Sequence, residues 1–171
     1  GTEELVEMHA VDTDADVLES RCCALGEFGS SAFPVADDDL VAGVLMAFRG
    51  ALSGVALLVM DPEDALGWAT ADGFKSDPVA IYVKLAERVL ASVVESASQA
   101  LGAEAEIGSP RLEESSIAGC LLRTHAPSDT VLICSRLEIE AGHQRRPAQL
   151  FLMMDAKVVA ALLGALCVSI H

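Results

Sequence analysis

Asparagine is absent from the chain, lysine occurs only three times, and the aromatic residues are one Trp, one Tyr and five Phe. Without Asn, any chemistry that needs a carboxamide falls to Gln99, Gln144 or Gln149. Base is scarce as well: 11 Lys and Arg face 26 Asp and Glu, for a formal charge of -15. Such a surface repels phosphate backbones and anionic lipid and gives no counterion release, which excludes nucleic acid and anionic membrane as partners. No Cys-x-x-Cys or His-Glu-x-x-His spacing occurs, and His9, His125, His143 and His171 are scattered. No metal and no cofactor is therefore expected. The Asp37-Asp38-Asp39 run lacks the Gly and Glu spacing of a calcium loop and reads as a solvated turn. No serine stands in a nucleophile-elbow pattern, and the Gly50 to Gly54 stretch lacks the lysine of a phosphate-cradling loop. The five cysteines are odd in number and Cys22 and Cys23 are adjacent, which suits reduced core thiols better than a disulfide framework. With no basic and apolar leader at the start, the expected location is the cytoplasm.

What the chain does have is core material. Over 171 residues the hydrophobic fraction is 52%, with a mean hydropathy of +0.43, enough for one domain spanning residues 1–171. The longest apolar run, Leu40 to Met60, has the length of a membrane span but carries Arg49 near its middle. Arg49-Gly50 and Ser53-Gly54 instead mark a turn between two apolar strands, so a β-hairpin is predicted.

An internal repeat supports the hairpin. VALLVMDPEDALGWA from Val55 and QLFLMMDAKVVAALLGA from Gln149 share an apolar strand, then Met-Asp, then Ala and Leu at helical spacing. Asp61 and Asp155 are placed to cap the two helices, and Pro62 suits the first helical position. The strands ahead of them, around Val44 to Met46 and Val131 to Ile133, complete two hairpins. Between the copies, Asp77-Pro78 opens a long helix with a core stripe Ile81, Leu85, Val89, Val93, Ala97 and Leu101 and a polar stripe Lys84, Arg88, Ser92, Glu95 and Gln99. Gly102 closes it, and a strand follows at Ala105 to Ile107. Near the N-terminus, Thr13 and Asp16 predict a capped helix with Val17, Leu18, Cys22 and Leu25 on its apolar side, ending near Gly26 or Gly29. The final run from Val158 to Ile170 is apolar nearly all round, which predicts cover by a second copy and hence a homodimer with residues near 150 to 170 at its interface.

The stretch LVAGVLMAFRGALSGVALLVMDPEDALGWA, the long helix after it and the passage into Gly108-Ser109-Pro110 resemble the CheC/CheX/FliY chemotaxis phosphatase family, in a layout similar to CheX. The resemblance covers residues 40–166. It implies an α/β (α+β) fold, a mixed sheet of two pseudo-twofold halves with long helices across it, and edge-to-edge pairing in a dimer. It also implies a CheY-like response regulator, or another chemotaxis protein, as partner.

The family removes phosphate from the regulator with a Glu and an Asn three residues later on one exposed helix face, the acid pairing with a lysine and the amide orienting water. Here Glu87 has Leu90 at the Asn position, and Glu19 on the first expected helix has Cys22. Neither Leu nor Cys orients a water. The resemblance therefore implies no catalytic residue and a domain that binds its partner without turnover. Two alternatives stand beside it: an active phosphatase using another water-positioning group, and a thiol-dependent sensory or small-molecule module built on Cys22 and Cys23.

Overall fold

The computed structural model describes residues 4–5, 15–27, 39–73, 77–155 and 157–158. Its strands are β1 (Glu4–Leu5), β2 (Ala15–Ala24), β3 (Val41–Gly50), β4 (Gly54–Met60), β5 (Ala105–Ile107), β6 (Arg111–Ser115), β7 (Val131–Ala141) and β8 (Gln144–Met154). The helices are α1 (Pro62–Ala69), α2 (Pro78–Leu101) and α3 (Ile117–Leu122), and a 3-10 turn (Leu25–Glu27) follows β2. The strands form one sheet in the order β1-β2-β7-β8-β4-β3-β5, with β6 also against β3. Every pairing among the described residues is antiparallel.

The α+β class is as expected, and so are the two halves. The predicted hairpins are β3-β4 and β7-β8, joined where β4 pairs with β8. Leu57 and Phe151 hold the same place in the two sequence copies, and they are also register partners. The pseudo-twofold axis therefore passes through that pair. The outer strands follow the same symmetry, β6 crossing to β3 and β2 to β7. Leu40 to Met60 is thus hairpin, not span, and among the described residues no helix is long and apolar enough to cross a membrane.

Both caps form in the second position of each repeat. The Asp61 carboxylate accepts from the Glu63 amide at 3.0 Å and that of Asp155 from the Lys157 amide at 2.8 Å. Asp77 caps α2 in the same manner, accepting from the Ala80 amide at 3.1 Å. Gly102 ends α2 at φ 62°, in the left-handed region that spares glycine the Cβ clash.

The strands alternate between two apolar faces. Val44, Met46, Leu58, Leu137, Leu150 and Leu152 form the front face beneath α1 and α2. Val41, Leu45, Leu57, Leu132, Phe151 and Met153 form the back face, packed with Ile117, Cys120 and Leu121 of α3.

One expected element is corrected. Thr13 lies outside the described residues, and from Ala15 on the expected helix is strand β2, paired with β7 along nearly its whole length. A β-bulge between Val17 and Glu19 resets the alternation, so the inward residues are Ala15, Ser20 and Cys22. That spacing imitates a helix in the sequence. Pairing of Ser20 with Ser135, hydroxyl to hydroxyl at 2.7 Å, settles the two buried polar side chains. α3 is an addition, capped where Ser116 Oγ accepts from the Gly119 amide at 3.0 Å. Of the terminal apolar run, only Val158 lies among the described residues, and it packs against the front cluster.

Candidate functional site

The long helix places Glu87 half-buried on its flank and Leu90 inside the core at 0% exposure. The buried stripe of α2 is Tyr82, Ala86, Val89, Leu90, Val93, Val94 and Ala97. It is rotated from the predicted one, so Ile81 and Leu85 sit at its margin and Leu90 at its centre. Glu87 and Leu90 thus do not present one exposed pair, because three residues of helix carry the chain from the flank to the sheet. The second position is corrected outright. Glu19 and Cys22 are on β2, where Glu19 binds Arg21 at 2.8 Å and Arg136 at 3.5 Å while Cys22 is buried in the front cluster.

The amides give no replacement beside Glu87. Gln99 is exposed several turns further along α2, and Gln144 accepts from Arg146 Nη2 at 2.8 Å on the β7-β8 hairpin. Gln149 lies on β8, with its Oε1 buried and unbonded. Nor do Cys22 and Cys23 act on one ligand: Cys22 packs in the front cluster and Cys23 against the back one, as successive strand residues must. No disulfide joins the four described cysteines, and no cluster among the described residues suits a metal ion. The Cys120 thiol is pushed up from its ordinary value by burial first and by Glu113 second, which makes it a poor nucleophile.

A different feature stands out on the front. The starts of α1 and α2 and the strands β3 and β6 enclose a small apolar cleft of about 110 Å³, lined by Pro62, Leu66, Pro78, Val79, Tyr82 and Leu112 among others. Its construction follows from the two Asp-Pro starts, which bring Pro62 and Pro78 to the same edge. Tyr82 forms the base, donating its hydroxyl to the Ala42 carbonyl at 2.6 Å and meeting Trp68 edge-on at 6.2 Å between ring centroids. Burial and then Cys120 raise the Tyr82 hydroxyl far above its ordinary value, so it is a fixed neutral donor.

Leu66 and Val79 border the cleft at 50% and 52% exposure, large apolar side chains left in water by the fold. Among the described residues the only charged one lining it is Glu114, and Glu63 and Asp77, next in sequence to Pro62 and Pro78, stand exposed. Sequence reasoning missed this site. The available signal was an apolar residue off the core stripe at the start of each helix.

Neither protein-family models nor curated protein sequences give a match. Solved structures do. FliY from Thermotoga maritima superposes with a TM-score of 0.61 at 15% identity, over 90% of this chain and 81% of that one. FliM from H. pylori, in its complex with FliG, gives 0.56 at 14% identity over 88% and 81%. CheX from Desulfovibrio desulfuricans gives 0.50 at 8% identity over 71% and 81%. The chain has the CheC/CheX/FliY-like fold, which the FliM middle domain shares. FliY and FliM match it over more of its length than CheX does.

Proposed function

We infer that this domain is a non-catalytic protein-binding module of chemotaxis signalling, docking a CheY-like response regulator or another chemotaxis protein. The placement of Leu90 carries the reading. At 0% exposure against the sheet, and in a chain without Asn, it leaves Glu87 with no amide to orient water toward an acyl phosphate. What remains exposed is suited to contact. The cleft with Leu66 and Val79 offers an apolar anchor point inside an acidic surround, which favours a partner segment carrying an apolar side chain flanked by Lys or Arg. FliM of similar fold is found in complexes with FliG and with SpeE, which supports a binding role for such domains. The working unit in this reading is a homodimer in the cytoplasm.

Calorimetric titration with a phosphorylated and an unphosphorylated regulator, and with FliG, tests it, alongside phosphate release from the phosphorylated form. Binding without acceleration of phosphate loss supports the module. Acceleration well above the spontaneous rate would establish the phosphatase alternative, and no binding to any of the three would sink the assignment. Leu66→Asp and Val79→Asp, both at exposed positions, should each weaken the bound complex by about tenfold or more.

A further inference from the structure

The back of the sheet carries a larger recess, of about 410 Å³, which the front cleft does not touch. Strand alternation builds it. Val41 and Val59 belong to the back cluster, and Gln149, two residues before Phe151 of the back with Leu150 of the front between them, is on the same side as Phe151. Arg136 is the register partner of Gln149 across the β7-β8 ladder, so the two side chains rise next to each other. Leu18, pushed out by the bulge in β2, closes one flank at 52% exposure.

Three observations make this more than a dent. Gln149 lines the recess, and its Oε1 is buried with no hydrogen-bond partner. An amide oxygen so placed accepts from any N–H that enters. The pseudo-twofold supplies the comparison: the equivalent recess, of about 460 Å³ beside Met153 and Asp155, has Val55 where this one has Gln149. The mate has its own polar groups in Thr124, Asp129 and Thr130, but no amide at the position of Gln149. Arg136, finally, is 48% exposed and reaches Glu19 only at 3.5 Å, while Glu19 is already held by Arg21 at 2.8 Å. A guanidinium has five N–H donors, so most of the capacity of Arg136, a residue that lines the recess, is not taken up by Glu19.

We propose that this recess binds the C-terminal residue of a peptide chain. Its α-carboxylate pairs with Arg136, its amide N–H donates to Gln149 Oε1, and its apolar side chain rests on Val41, Val59 and Leu18. The amide and carboxylate of one residue leave the same Cα, and cross-strand neighbours about 5 Å apart present acceptor and donor at a matching separation. A monoanion fits where a phosphate does not. Glu138, Asp61 and Asp64 all line the recess; Glu138 is held by Arg145 at 3.0 Å and Asp64 by Arg146 at 2.9 Å, which leaves Asp61 for a second negative charge to meet.

The probe is the acetylated tripeptide Gly-Ala-Leu with a free carboxylate, compared with its C-terminal carboxamide and titrated into the full chain by calorimetry and amide NMR. The free acid should bind and shift backbone amides of β7 and β8 around Arg136 and Gln149, and the carboxamide should bind about tenfold more weakly. Arg136→Gln, at an exposed position, and Gln149→Leu, which removes a buried unbonded acceptor, should each weaken the acid about tenfold with the fold intact by circular dichroism. Equal binding of acid and carboxamide, no binding of either, or shifts confined to the front cleft would overturn the assignment. Should Gln149→Leu not fold, Arg136→Gln and the carboxamide decide alone. The site stands apart from the front cleft, so Leu66→Asp should leave peptide binding unchanged, and failure here leaves the regulator reading untouched.

Discussion

A side chain sealed between a helix and a sheet has no access to a phosphoryl group, and Leu90 is such a side chain. The resemblance alone would have Leu90→Asn create a water-orienting amide. Its burial reverses that expectation: the substitution trades core packing for a desolvated carboxamide and should cost about 3 kcal/mol or more in urea denaturation, without accelerating acyl-phosphate loss. Activity appearing in a stable Leu90→Asn protein would show that α2 presents this face to solvent. Tyr82 gives a second test at the same scale, since it is the chain's only tyrosine. Burial holds its hydroxyl neutral well beyond the ordinary range near 10. The folded state therefore keeps a proton that the unfolded state releases. Stability from this group is fully present below about pH 10 and is lost as pH rises from there toward the folded value. Cys120 is raised too and acts in the same direction, from its ordinary value of 9.0 upward. Tyrosinate absorbance should thus appear only with loss of far-ultraviolet circular dichroism. A reversible titration near pH 10 in the folded protein would contradict the buried hydrogen bond to Ala42.

Among the elements, the two hairpins and their helix starts are the most constrained. Gly54, at the first position of β4, is one such point: a Cβ there would run into the Met153 carbonyl of the neighbouring strand and sit 2.9 Å from the Phe48 ring. Gly54→Ala should cost about 2 to 3 kcal/mol by overpacking at the ladder, against about 1 kcal/mol for Asp61→Ala, which only removes a cap. Thermal denaturation of the two variants ranks them, and the reverse order would mean that β4 and β8 are not in this register. The sequence made these elements legible because the signals were local and redundant: an Asp-Pro start, an αL glycine, a turn flanked by apolar runs, and the same pattern twice. β2 was illegible for an equally local reason. Its bulge and its inward Ser20 break the period of two, and Glu19 and Arg21, paired with each other along the back face, read as the polar side of a helix. Both proposed sites were hidden because they depend on contacts between distant segments. No spacing rule places Gln149 beside Arg136, or Leu66 beside Val79; only the sheet order and the packing of α1 on α2 do.

The whole molecule is defined by apolar faces inside a strongly acidic shell, and this bears on how it associates. The expected dimer placed residues 150 to 170 at an interface, but Leu150 to Met154 lie on β8, between β7 and β4, at 1% exposure or less. Beyond Val158 the apolar terminal run lies outside the described residues. Edge-to-edge pairing could use β2, which β1 covers at only two of its ten residues, or β5 and β6, which share the outer flank of β3. Apolar burial is the other contribution open to a dimer, by the terminal run and by exposed side chains such as Leu122 at 76% exposure. Each copy carries a formal charge of -15, so like-charge repulsion opposes association and salt relieves it, the screening length shrinking from about 10 Å at 0.1 M to about 3 Å at 1 M. Sedimentation equilibrium should therefore give a species of twice 17.9 kDa whose association constant rises with salt, and Leu163→Asp should shift it toward monomer. Docking of a basic partner at the acidic front cleft has the opposite sign and should weaken over the same range. A monomer at every ionic strength would remove the homodimer, and partner binding insensitive to salt would remove charge complementarity as the basis of the front-face contact.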